Sequence, residues 1–263
     1  MQISLANKVA WITGGSEGIG RAIALHAARC GARVAISALG QETLDRTVMD
    51  IEASGGEAIA TCSDVSDPDQ MRTAIDRIVE RFGRLDIVYA NAGTNGKWAP
   101  LEEIAPDEWA HTIAVNLTGT YHTIHSALPH LRRSGGGSIV ITSSVNGTRM
   151  FSNEGASAYA SSKAGQLALG QMLALELAPS RIRVNIICPG AITSNIHEKT
   201  EKQDLDEIET PVLFPEGKIP LTGGAMGEAQ QVANLAVFLA SDAASHITGT
   251  PVWIDGAQSL LQG

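Results

Sequence analysis

Val9-Ala10-Trp11-Ile12-Thr13-Gly14-Gly15-Ser16-Glu17-Gly18-Ile19-Gly20 is the stretch from which the fold can be read. Its four leading apolar residues show no alternation that would mark a solvent face, the pattern of a strand buried on both sides in a parallel sheet. The glycines permit a tight turn, after which Ala22, Ile23, Leu25, Ala27 and Ala28 continue with helical character. A strand, a Gly-rich turn and a helix N-terminus in that order offer free N–H groups and a positive dipole end to a pyrophosphate. The spacing Gly14, Gly18, Gly20 departs from G-x-G-x-x-G, so by itself the turn is also compatible with an ordinary strand-to-helix loop.

The rest of the chain repeats the same alternation. Strands are predicted over 33–37, 57–62, 85–90, 138–142, 182–187 and 251–255, and helices over 42–53, 67–82, 107–131, 157–177 and 229–240. Asp67-Pro68 supplies a cap and a proline at a helix start, and Ser54-Gly55-Gly56 and Ser134-Gly135-Gly136-Gly137 stop helices. Regular βαβ alternation predicts an α/β fold of three layers, a parallel sheet with right-handed crossovers and helices on both faces. One domain spanning 1–263 is expected. Residues 191–227 lack periodicity and are rich in Glu, Lys, Asp, Pro and Gly, which suits either a substrate-binding lid or a surface insertion. The tail ends on Leu260-Leu261, expected to pack on another part of the fold or on another subunit.

Composition narrows the functional classes. The chain of 263 residues is 44% apolar and only 4% aromatic, with a formal net charge of −9. That charge argues against nucleic acid or an anionic membrane surface as a partner. No apolar run reaches membrane-spanning length and Met1 to Lys8 is too short and polar for a secretion signal, so a cytoplasmic protein is expected. Cys30, Cys62 and Cys188 stand far apart in apolar surroundings and are expected in the core. The histidines have no metal-ligand spacing, and no metal site is expected.

Tyr159-Ala160-Ser161-Ser162-Lys163 carries the chemistry. Residues four apart lie one turn apart on a helix face, so phenol and ammonium share one small volume. A phenol with an ordinary pKa of about 10 becomes a usable base when a nearby positive charge lowers that value. Taken alone, the pair is equally a surface neighbour pair. Its context decides, because Ser143 and Ser144 arrive at the C-terminal edge of the preceding strand, where open parallel sheets bind ligands.

Together these motifs resemble the short-chain dehydrogenases/reductases over essentially the whole chain. The resemblance rests on Thr13-Gly14-x-x-x-Gly18-Ile19-Gly20, Asn91-Ala92-Gly93, Asn116, Ser144 with Tyr159-x-x-x-Lys163, Pro189-Gly190, Thr248-Gly249 and Ile254-Asp255-Gly256. It implies a single Rossmann domain with a seven-stranded parallel sheet in the order 3-2-1-4-5-6-7. It assigns Tyr159 as acid/base and Lys163 as the neighbour that lowers its pKa and holds the nicotinamide ribose. Ser144 would bind the substrate oxygen, and Asn116 a water linking Lys163 to solvent. An oxidised, cationic nicotinamide would lower the tyrosine pKa further.

By the same resemblance, Gly14, Ser16, Glu17, Gly18, Ile19, Gly20, Ala38, Leu39, Asp64, Val65, Asn91, Ala92, Gly93, Pro189, Gly190, Ile192 and Ser194 would contact the cofactor together with Tyr159 and Lys163. Strand two ends in Ala38-Leu39-Gly40, without the acid typical of NAD users or the base typical of NADP users. Glu17 would repel a 2′-phosphate and Arg33 is badly placed to attract one, so NAD is favoured over NADP. The substrate pocket would draw on Asn95, Trp98, Asn146, Arg149, Phe151, Asn153, Ile196 and His197, a mostly polar lining that suits a polyol, sugar or similar hydroxylated small molecule.

The expected activity is therefore interconversion of a secondary alcohol and a ketone. An NADPH-dependent 3-oxoacyl-carrier-protein reductase shares the motifs, although an acidic chain suits an acidic carrier badly. A non-catalytic dinucleotide-binding regulator would commonly have lost the tyrosine or the lysine. A homotetramer is the family expectation, and the Ala- and Leu-rich face of 166–177 suits either that interface or the subunit core.

Overall fold

The computed structural model describes residues 3–194, 200–208 and 219–262. In chain order, β1 (Val9–Thr13), α1 (Gly18–Arg29), β2 (Arg33–Ala38), α2 (Gln41–Ala53), β3 (Glu57–Cys62), α3 (Pro68–Phe82) and β4 (Ile87–Ala90) form the first half. There follow β5 (Lys97–Trp98), α4 (Pro106–Ile113), a π-helical segment (Ala114–Thr118), α5 (Gly119–Arg133), β6 (Gly137–Thr142) and α6 (Ser157–Leu177). β7 (Ile182–Pro189), β8 (Glu201–Lys202), α7 (Ala229–Ala240), β9 (Pro251–Ile254) and α8 (Gln258–Gln262) complete the described elements.

Seven strands make one parallel sheet in the order β3-β2-β1-β4-β6-β7-β9, the order expected for the seven main strands. Strand alternation divides its side chains between two cores. Ile12, Ile36, Tyr89, Val140 and Ile187 pack under α1, α2 and α7, whereas Trp11, Val88, Ile139, Ile141 and Val184 pack under α3, α5 and α6. Every residue of β1 is buried, as its unbroken apolar run predicts.

Polar groups fix the frame. The Asp67 side chain accepts from the N–H groups of Asp69 and Gln70 and caps α3, and Gly83 at φ 77° closes it. Asp86 is buried, accepts from Val9 N at 2.9 Å and holds Arg84 through two hydrogen bonds of 2.9 and 2.6 Å. β4 therefore begins two residues later than expected, after Asp86 has committed its carboxylate. Arg183 of β7 donates to the carbonyls of Leu239, Ala240 and Ser241 at the C-terminal end of α7 and to that of Ile247 beyond it.

The structure corrects three expectations. The helix expected over 107–131 is not uniformly α: a π turn containing Asn116 divides the continuous rod into α4 and α5. Within the segment read as aperiodic, β8 pairs with β5 in a small parallel sheet. Cys62 is exposed at the end of the edge strand β3 and Cys30 is half-buried, so only Cys188 lies in the core. In α8, Ser259 is buried, whereas Leu260 stays 71% and Leu261 40% exposed. Among the described residues, no helix is long and apolar enough to cross a membrane, and no cluster of His, Cys, Asp and Glu could hold a metal.

Candidate active site

The Gly-rich turn is shaped by contacts that exclude side chains. Gly14 and Gly18 have φ of 65° and 51°, and a Cβ on Gly20 would fall 2.0 Å from the Gly14 carbonyl oxygen. The turn is fastened to the end of β4. Thr13 Oγ1 accepts from the N–H groups of Asn91 and Ala92 at 3.1 and 3.2 Å, and Asn91 Nδ2 donates to Thr13 O at 3.2 Å. Glu17 stands at the N-cap of α1, and its side chain makes no capping bond to the first turn. Ser194 lies against the turn, its Cβ 3.4 Å from where a Cβ on Gly18 would sit. Close backbone packing, left-handed glycines and an uncapped helix start fit the pyrophosphate of a dinucleotide.

Along the strand edge, Ala38 is half-buried and Leu39 is 70% exposed at the position where an acid or a base would meet the adenosine ribose. Asp64 accepts from Ser66 N and Oγ at 2.8 and 2.7 Å in a local turn, and Val65 is buried with its carbonyl 3.1 Å from His122 Nδ1. Arg33 donates to the Phe82 carbonyl and lies over the Phe82 ring, at the end of the sheet opposite the turn.

Asn116, Ser144, Tyr159 and Lys163 converge at the C-terminal edge of β6. Asn116 is fully buried in the π turn. Its Oδ1 accepts from Thr94 N at 2.8 Å and its Nδ2 donates to Thr94 O and to Ser162 Oγ, both at 2.9 Å. Its carbonyl accepts from Thr120 Oγ1 at 2.7 Å and from Gln166 Nε2 at 2.8 Å. Asn116 thus ties the π turn to α6 through Ser162, which also donates to the Tyr159 carbonyl at 2.6 Å. Lys163 Nζ donates to Thr142 O at 3.0 Å and lies 5.5 Å from the Tyr159 ring centroid. Ser144 stands beside the Tyr159 hydroxyl, whose pKa it draws down, and accepts from Asn146 N at 3.1 Å.

Burial dominates the electrostatics. Desolvation pushes the Tyr159 phenol above its ordinary value, and the Ser144 hydroxyl draws it only partway back. Without a bound nicotinamide, the loss of water outweighs the help from Ser144, and the phenol stands above its ordinary value. Lys163 is pushed down to about 8 by burial, with the Cys188 thiol opposing the shift.

Around the centre, Asn95 and Asn146 are buried, and the Trp98 ring lies 6.3 Å from that of Tyr159. Asn95 Nδ2 donates to Thr200 Oγ1 at 2.6 Å, and Asn153 Nδ2 donates to Asn146 Oδ1 at 3.0 Å. Arg149 stacks on Trp253 of the edge strand β9 at 3.8 Å, and Phe151 is 75% exposed. Pro189 O accepts from Val145 N, and Gly190 packs on Asp255 and Gln258. Ile192 is buried and bridges to Gly227. Ile196 and His197 lie outside the described residues.

Sequence reasoning missed several supporting residues. Gln166 falls one helical step beyond Lys163 on the same face, a signal that was present. Thr142, which presents its carbonyl to Lys163, and Thr148, which donates to the Ser144 carbonyl at 2.5 Å, act through tertiary placement.

This combination defines a nucleotide-dependent oxidoreductase of the Rossmann type, and comparison with known proteins agrees. A family model described as Enoyl-(Acyl carrier protein) reductase matches residues 14–257. Cyclohexanol dehydrogenase from Acinetobacter sp. (strain SE19) is 35% identical over 95% of this chain and 94% of its own length. The 3-oxoacyl-[acyl-carrier-protein] reductase FabG of Thermotoga maritima is 36% identical over 96% of this chain and 98% of its own. The crystal structure of a 3-ketoacyl-ACP reductase from Sinorhizobium meliloti 1021 superposes with a TM-score of 0.91 at 48% identity, covering 96% of this chain and 99% of that chain. The chain belongs to the short-chain dehydrogenase/reductase family and is an NAD(P)-dependent oxidoreductase acting between alcohols and ketones.

Proposed function

We propose that this enzyme interconverts a secondary alcohol on a polar, hydroxylated small molecule with its ketone, using NAD in preference to NADP. The observation that carries this reading is the convergence of Ser144, Tyr159 and Lys163 next to a Gly-rich turn, with Asn95, Asn146 and Asn153 around them. The balanced reaction is alcohol plus NAD⁺ giving ketone, NADH and a proton. When bound, the nicotinamide cofactor exchanges a hydride with the carbinol carbon. The Ser144 hydroxyl holds the substrate oxygen, and Tyr159 Oη takes its proton in oxidation or returns it in reduction. Lys163 places a positive charge beside the phenol and holds the cofactor ribose, and Asn116 holds Lys163's surroundings in place through Thr94 and Ser162.

Leu39 at the ribose position and the remoteness of Arg33 support NAD, since neither offers a cation to a 2′-phosphate. The proposal further takes 1–263 as one domain, with 191–227 covering the substrate, in a cytoplasmic homotetramer. Paired titration with NADH and NADPH, followed by tryptophan fluorescence, tests the cofactor reading, and tighter NADH binding is expected. Oxidation of polyols, sugars and cyclohexanols with NAD then tests the substrate class. Reduction of 3-oxoacyl thioesters is a second reading, favoured by the 48% identity to a protein described as a 3-ketoacyl-ACP reductase. It requires NADPH to bind more tightly than NADH.

A further inference from the structure

Among the asparagines around the centre, one amide is unspent. Asn95 commits its Nδ2 to Thr200, Asn116 to Thr94 and Ser162, and Asn153 to Asn146. Asn146 is only 7% exposed, yet among the described residues its Nδ2 donates to nothing. Its Oδ1 is held by Asn153 at 3.0 Å, which fixes the orientation of the amide. The buried polar atoms sealed from solvent without a partner are Tyr89 Oη, Thr142 Oγ1 and Gln166 Oε1. Asn146 Nδ2 is not one of them, so it keeps a narrow opening to solvent. A largely buried donor, oriented and unpaired, is costly unless something supplies an acceptor.

The position says what that acceptor is. Asn146 N lies 3.1 Å from Ser144 Oγ, the group that holds the reacting oxygen, and the side-chain amide reaches out from the same residue. The amide and the hydroxyl thus belong to one short loop, Ser144-Val145-Asn146, beside the reacting centre. We infer that Asn146 donates to a second oxygen of the substrate, and that the enzyme selects alcohols bearing an acceptor oxygen one or two carbons from the carbinol. This rests on the alcohol/ketone reading above and names its substrate class more narrowly: 1,2- or 1,3-dioxygenated compounds. Such a residue determines specificity, because an analogue lacking the oxygen leaves the buried N–H unpaired.

The test uses isosteric pairs. Oxidation of 2-methoxycyclohexanol is compared with that of 2-ethylcyclohexanol, and 3-methoxycyclohexanol with 3-ethylcyclohexanol, by nucleotide reduction in the purified enzyme. At least one methoxy compound is expected to exceed its ethyl partner about tenfold in kcat/KM. Asn146→Leu should bring that ratio close to unity, and Asn146→Asp, which presents an acceptor in the same shape, should invert it. Oxidation of both pairs without preference in the wild type overturns the inference and leaves the alcohol/ketone reading standing. A preference that survives intact in both variants also overturns it, by assigning the selection elsewhere. Failure to oxidise any of the four alcohols with either nucleotide counts against the reading and the inference together.

Discussion

A Cβ on Gly147 would lie 2.0 Å from the carbonyl oxygen of Ala160, the residue that follows Tyr159. Gly147 also has φ of 75°, so the loop carrying Ser144 meets the helix carrying Tyr159 at a point where only glycine fits. Gly147→Ala must move one against the other. We expect a loss of about 1–3 kcal/mol in stability and a fall of about a hundredfold in kcat, measured by chemical denaturation and steady-state kinetics.

Replacing Tyr159 by Phe keeps the ring and its contact with Trp98 while removing the hydroxyl proposed to exchange a proton with the substrate oxygen that Ser144 holds. Turnover should fall by about 10²–10⁴. Dinucleotide affinity, followed by fluorescence, should stay close to the wild type, because the turn over 13–20 is untouched. Retention of most activity would remove Tyr159 from its role.

Lys163 should destabilise the fold it serves. Its folded pKa of about 8 lies below the ordinary 10.5, so between those values the unfolded chain holds a proton that the folded chain has released. Stability from this group therefore rises as pH increases through that window, and below it the buried charge costs about 3 kcal/mol. Lys163→Met, inactive, should unfold at higher denaturant concentration than the wild type at pH 7, by about 2 kcal/mol. That advantage should shrink towards pH 10. Denaturation curves of both proteins from pH 7 to 10 check the sign.

Arg183→Met removes a donor from three carbonyls at the end of α7, those of Leu239, Ala240 and Ser241, and from that of Ile247 beyond it. The expected loss is about 2–4 kcal/mol in unfolding free energy, read by chemical denaturation. The midpoint should move well before kcat does, since Arg183 sits at the opposite end of β7 from Pro189.

Legibility tracked how local each determinant is. β1, α3 and α6 could be bounded from their residues because buried runs, the Asp67 cap and helix-forming Ala and Leu act within the segment itself. Tyr159 and Lys163 were likewise visible, since helical spacing alone makes them neighbours. What escaped depends on distant partners. β5 and β8 are two residues each and exist only through each other. Cys62 looked apolar in context but ends an edge strand. The direction of the Tyr159 shift depends on how completely the finished fold excludes water, which no spacing rule reports.

The π turn at Ala114–Thr118 works as a change of phase. Successive residues of an α-helix are rotated by about 100°, so one extra residue in a turn swings everything downstream by about that angle without interrupting the rod. On one side of the slip α4 faces α6, and on the other α5 faces α3 and β4. A single continuous axis thereby serves two neighbours that a uniform helix could not face with one stripe. Deleting one residue from this turn would leave the helix whole and turn its two halves onto the wrong partners.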